Sequence, residues 1–163
     1  MAEEQRPGGS SSEGHDASGH RFCLVAARYN EVYVRRLVDA ALEVLRGRGA
    51  AEPDLEVVWV PGSFELPLAC AYAAHTQRFA AVLAFGVLIR GETEHFRLVA
   101  ESAAHALQRV ALDTGVPVLD GILAVHDAAQ AAARSGGAVG NRGAEVALAA
   151  IQMAGLRRTL GAR

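Results

Sequence analysis

The stretch Gly86-Val87-Leu88-Ile89-Arg90-Gly91-Glu92-Thr93-Glu94-His95-Phe96 carries the densest set of groups in this chain that could do chemistry. It follows an apolar run, Phe79 to Phe85, that reads as a buried strand. It precedes Arg97 to Leu112, which reads as an amphipathic helix. The spacing predicts a glycine-bracketed polar loop between the carboxyl end of a strand and the amino end of a helix. In an open α/β sheet that is where ligands bind. Free N–H groups at a helix start favour an anion, typically phosphate. A histidine within reach of that anion can move protons near neutral pH.

Other strand-to-helix junctions also carry functional groups. Arg28-Tyr29-Asn30 follows one apolar run, and Pro61-Gly62-Ser63-Phe64-Glu65 follows the next. Tyr29 offers a ring for stacking on a flat heterocycle or for packing. Asn30 offers directional hydrogen bonds or a helix N-cap. Glu65 offers a hydrogen-bonding carboxylate or a complement to a helix dipole. Arg134 is either a bidentate phosphate clamp or a cation at a helix C-terminus. His95 divides between proton transfer and a helix-start hydrogen bond. Both readings of each residue stand at this point.

The elements that must position these groups follow from periodicity. Phe22–Ala27, Leu55–Val60, Phe79–Phe85 and a run from Pro117 to near Val125 read as strands. Val34, Leu37, Val38, Ala41, Leu42 and Leu45 mark a helix that Gly47 and Gly49 end. Phe64 to His75 reads as a helix with Pro67 in its first turn. Ala128–Arg134 is a short helix, Ser135 to Gly140 a glycine-rich turn, and Ala144 to Ala154 lie on the last helix. Strands alternate with helices and are nearly continuous apolar runs. The expectation is therefore an α/β fold: a three-layer α/β/α, flavodoxin-like four-stranded parallel sheet with helices on both faces. An edge strand of so small a sheet needs cover, and another subunit could supply it.

Residues 21–163 are expected to form one domain. Met1 to His20, rich in Gly, Ser and charge, reads as a disordered N-terminal tail. A formal charge of −2 gives no reason to expect nucleic acid or an anionic membrane. No apolar run is long enough to span a bilayer, and the N-terminus lacks a signal-peptide core. The expected location is cytoplasmic. Cys23 and Cys70 are too few for a disulfide framework and read as buried thiols. All 16 basic residues are arginine. This excludes a lysine Schiff base, a pyridoxal-phosphate aldimine and a P-loop. Any amine in imine chemistry here must come from a substrate.

From Arg21 to Leu160 the chain resembles the lumazine synthase family. The resemblance rests on Tyr29-Asn30, on Val60-Pro61-Gly62-Ser63-Phe64-Glu65-Leu66-Pro67 and on Ile89 to Phe96. Gly115-Val116-Pro117-Val118, Gln130 with Arg134, and Gly140-Asn141-Arg142-Gly143 add to it. It implies condensation of 5-amino-6-(D-ribitylamino)uracil with 3,4-dihydroxy-2-butanone 4-phosphate, giving 6,7-dimethyl-8-ribityllumazine. That is the penultimate step of riboflavin biosynthesis, with a functional link to riboflavin synthase. The family uses no cofactor or metal. By matching position, Tyr29 would stack on the uracil, and Ser63, Phe64 and Glu65 would line the ribityl and pyrimidine pocket, with Asn30 beside them. Val87, Leu88 and Ile89 would contact the ring through main chain and apolar surface. Gly91, Glu92 and Thr93 would cradle the phosphate and Arg134 would neutralise it. His95 would shuttle protons.

The chain departs from the family pattern at three places. Asp120 stands where an aromatic is common, at a position that usually reaches the neighbouring subunit's site. Ala124-Val125, followed by His126, replaces a Thr-Thr pair. Arg142 replaces a lysine that would also meet the ligand. The resemblance further implies a homopentamer with sites between adjacent subunits. The short turn from Ser135 to Asn141 matches members that build icosahedral shells. Two alternatives to the enzyme are a lumazine- or flavin-binding relative weakened by Asp120, and a relative whose role is the shell. A flavodoxin-like electron carrier lacks an acidic, aromatic-flanked flavin loop here.

Overall fold

The computed structural model describes residues 15–161. Its strands are β1 (Phe22–Ala27), β2 (Leu55–Val60), β3 (Ala81–Ile89) and β4 (Val118–Val125). They form one parallel sheet in the order β2-β1-β3-β4. Helices α1 (Glu31–Gly47), α2 (Leu66–His75), α3 (His95–Thr114), α4 (Ala128–Arg134) and α5 (Arg142–Thr159) alternate with them. The arrangement is the expected three-layer, flavodoxin-like one. The strand order reverses between β1 and β3, which makes their carboxyl ends the switch point of the sheet.

Side-chain alternation on β1 builds both cores. Phe22, Leu24 and Ala26 pack with Leu83, Phe85 and Val87 against α1 and α5. Cys23, Val25 and Ala27 pack with Val82 and Ala84 against α2 and α3. The two central strands are covered on both faces as expected. The edge strands β2 and β4 are not: their residues are largely part-exposed or exposed, and Val58 is among the exposed large apolar groups.

Two expected loops have more order than their sequence suggests. Gly86 to Ile89 belong to β3 and pair with Ile122 to Val125, so the polar loop is shorter than expected. The apolar period continues through Gly86, where the strand has no room for a side chain. The turn from Ser135 to Gly140 folds as a small antiparallel ribbon, β5 (Ser135–Gly137) against β6 (Gly140–Asn141). Phe64 and Glu65 lie in a 3-10 turn, Ser63–Glu65, that precedes α2. Of the segment read as a tail, most falls outside the described residues. Its last part packs on the domain, with Ala17 fully buried and its N–H bonded to Arg48 O at 2.9 Å.

Candidate active site

Three junctions converge on a cavity of about 470 Å³ at the carboxyl ends of β1, β2 and β3. Tyr29 and Asn30 come from the first junction, Gly62 to Glu65 from the second, and Leu88, Ile89, Gly91, Thr93 and His95 from the third. Its size suits small organic molecules. Tyr29 and Phe64 present mostly bare rings, 72% and 66% exposed, while Ser63 beneath them is 4% exposed. Aromatic surface left open beside polar groups is the composition of a heterocycle site.

Local sequence explains how each wall is held. Asn30 sits in the left-handed region, φ 58° and ψ 39°, which asparagine tolerates better than most residues. It occupies the N-cap position of α1 but makes no side-chain cap bond. Instead its Nδ2 donates to the Val87 carbonyl at 2.7 Å, tying the first junction to the third. The 3-10 turn at Ser63 packs directly on Gly86. A Cβ there would stand 3.2 Å from a Leu66 methyl and closer still to the Ser63 hydroxyl.

His95 is exposed and opens α3, whose N-cap Glu94 makes no side-chain cap bond. The His95 N–H donates to the Thr93 hydroxyl at 3.3 Å. Glu94 pairs with Arg97 at 3.3 Å and Arg90 at 3.8 Å, all three exposed. The two guanidiniums offset the Glu94 carboxylate at the start of α3.

Not every expected residue meets this cavity. Val87 is fully buried in the α1/α5 core, and its carbonyl is taken by Asn30. Glu92 is exposed on the loop and does not line the cavity. Arg134 and Arg142 line a separate cavity of about 230 Å³ with Leu123, Asn141 and Glu145. Asp120 lines an apolar groove with Leu112, Leu119 and Met153. It pairs with Ala84 in mid-sheet, whereas Val125 pairs with Ile89 at the rim. At ~3.3 Å per residue Asp120 is about 16 Å below that rim.

This second set has its own supports. Asp127 caps α4 by accepting from the Gln130 N–H at 2.8 Å, and Gln130 Oε1 accepts from the His126 N–H at 3.0 Å. The reciprocal pair fixes the helix that ends in Arg134. Asn141 caps α5 through the Gly143 N–H at 2.8 Å. Arg142 therefore stands in the first turn of a helix, where the dipole disfavours a cation. Glu145 pairs with it at 3.1 Å. The Asp120 carboxylate accepts from its own strand, the Ile122 N–H at 2.9 Å.

Phe96 and Val99 also line the main cavity and were not expected there. Val99 lies one helical turn beyond His95, a spacing that places both on one face of α3. No cluster of His, Cys, Asp and Glu suited to a metal occurs among the described residues. The cysteines stay buried, and burial pushes the Cys23 thiol up to about 12 and raises Cys70 as well.

A family model described as 6,7-dimethyl-8-ribityllumazine synthase matches residues 19–158. A protein of that name from Stenotrophomonas maltophilia strain R551-3 is 48% identical over 140 residues, covering 86% of this chain and 90% of the relative. One from Halorhodospira halophila is 46% identical over 142 residues, 87% of this chain and 91% of the relative. A chloroplastic one from Arabidopsis thaliana is 44% identical over 138 residues, 85% of this chain and 61% of the relative. The matched span takes in every strand of the sheet and each junction around the cavity, and the chain belongs to the 6,7-dimethyl-8-ribityllumazine synthase family.

Proposed function

We propose that the chain condenses 5-amino-6-(D-ribitylamino)uracil with 3,4-dihydroxy-2-butanone 4-phosphate in the cavity at the β1–β3 switch point. The observation that carries this reading is the convergence of Tyr29, Ser63, Ile89, Thr93 and His95 on that one space. The substrate amine adds to the ketone, and water leaves as the imine forms. Elimination then releases phosphate, and the ribitylamino nitrogen closes the ring with loss of a second water. Every nucleophile is the substrate's own, which suits a chain without lysine.

In this reading Tyr29 stacks on the uracil, with the ring resting on Leu88 and Ile89. Ser63, Phe64 and Glu65 flank the ribityl chain. Gly91, Glu92 and Thr93 hold the phosphate through the loop backbone at the start of α3. His95 takes the proton shed by the amine and returns one as phosphate leaves. Much of the acceleration comes from holding two reactants together.

Asp120, Arg134 and Arg142 belong in this reading to a second copy of the chain. Support comes from their position on a face separate from the Tyr29–His95 cavity. A homopentamer would bring that face against a neighbour's cavity, with Arg134 neutralising the departing phosphate. The short β5–β6 ribbon favours closure of pentamers into an icosahedral shell. No described helix is long and apolar enough to cross a membrane; the proposed location is the cytoplasm, beside the riboflavin synthase that would consume the product. A second reading, a lumazine-binding or shell-forming relative, is favoured by Asp120 alone. A steady-state assay with both substrates, following lumazine absorbance above the uncatalysed background, tests the proposal. Acceleration supports it; lumazine binding without acceleration moves the reading to the relative.

A further inference from the structure

β3 outruns its neighbour at the switch point. The β1–β3 register ends at Ala26 and Phe85, while β3 continues to Ile89. The overhang is paired on one side only, with β4. The peptide groups of a strand alternate in direction. The Arg90 N–H bonds Val125 O on the β4 side. The Val87 carbonyl points the other way and accepts from Asn30. Ile89 therefore turns its N–H and C=O toward the β1 side, where Tyr29, Asn30 and Ile89 line the cavity.

We infer that Asn30 is a positioning residue. Its amide stands in for the missing strand at Val87, holds the overhang straight, and keeps the Ile89 peptide edge facing the cavity for a ligand with adjacent N–H and C=O groups. The inference rests on the condensation reading for the identity of that ligand, the pyrimidinedione. Several observations converge on it. The bond spans 57 residues of sequence, its 2.7 Å length is that of a good hydrogen bond, and Val87 is fully buried. The left-handed backbone at Asn30 is what aims the amide across the sheet instead of into its own helix. Leaving that carbonyl without its partner would cost more than the bond itself contributes.

The test uses Asn30→Gly, which keeps the left-handed backbone and removes the amide, and Asn30→Asp, which keeps the shape and removes the donor. Each should raise KM for the pyrimidine about tenfold, with KM for the butanone phosphate within about twofold. In the ligand-free protein, amide exchange over Val87–Gly91 should speed up in both. A residue that only touches substrate would leave ligand-free exchange unchanged, and that result overturns the inference. So does an equal rise in both Michaelis constants, or no rise in either. Wild-type turnover reports separately on the condensation reading. If wild type does not turn over, titration with the lumazine decides: weaker binding by Asn30→Gly, with faster exchange, upholds the positioning role, and unchanged binding overturns it.

Discussion

Gly86 passes so close to Ser63 that a Cβ added to it would stand 2.3 Å from the Ser63 hydroxyl oxygen. The floor of the cavity and the wall after β2 thus touch through a glycine. Gly143 makes a tighter approach, where a Cβ would stand 1.9 Å from the Leu37 carbonyl oxygen across the α1–α5 contact. Gly86→Ala meets movable side-chain atoms and should destabilise by about 1–3 kcal/mol. Gly143→Ala meets backbone and should destabilise more. Urea denaturation of both variants gives the order; the reverse order would show that α1 and α5 separate more easily than the Ser63 turn.

His95→Ala should lower kcat by up to about a hundredfold while product affinity changes little. Proximity of the two substrates persists without the imidazole, so activity is not abolished. Single-turnover kinetics with a parallel lumazine titration makes the comparison. Equal loss of rate and affinity would refute a role mainly in proton transfer.

Arg134→Ala should raise KM for the phosphorylated ketone at least about tenfold, well beyond any change for the pyrimidine. Because Arg134 and His95 lie on separate faces of one chain, mixed assemblies of His95→Ala and Arg134→Ala chains should regain activity. Some junctions would then pair two intact halves. Assemblies no more active than either parent would count against a shared site.

Asp120→Phe should tighten pyrimidine binding about two- to tenfold, the range of an aromatic stacking contact. Isothermal titration measures it, and unchanged affinity would place Asp120 away from the ligand.

His20 gives the fold a pH dependence. Burial, with Arg158 adding to it, holds its pKa below the ordinary imidazole value; Asp16 opposes the shift only in part. The unfolded chain therefore takes up this proton first. Stability from neutral His20 is complete above the unfolded pKa and is lost as pH falls through the folded one. Tm should drop as pH falls below the ordinary imidazole value of 6.5, and His20→Gln should flatten that drop. An equal drop in the variant would assign it to other groups.

The parts legible in sequence were those set by local pattern. The Gly91–His95 loop announced itself because an apolar run precedes it and a 3.6-residue period follows. The same junction logic points to Tyr29 and Ser63, which line the cavity. Gly86 broke the apparent strand because a glycine in an apolar run signals either an end or a close approach, and only Ser63 overhead decides which. Asn30 reads from sequence as a cap or a ligand group; the structure adds a bond from its amide across the sheet to Val87, which only the tertiary fold creates. Asp120 and Arg134 could be named but not placed, since register and helix packing are not written in periodicity.

The overhang of β3 also divides the site mechanically. Its floor continues a central strand whose neighbours hold it on both sides over most of its length. At Leu88 and Ile89 that floor is held by pairing with β4 and, through Val87, by Asn30, so it opens less readily than an unpaired loop. The Gly91–Glu94 wall is an exposed loop, which opens locally at lower cost. In the proposed reaction, substrates would enter and leave by movement of the Gly91–Glu94 segment while the β3 surface proposed to meet the ring moves less. Selection and traffic are assigned to different parts of the chain, and a change that speeds product release need not blur recognition.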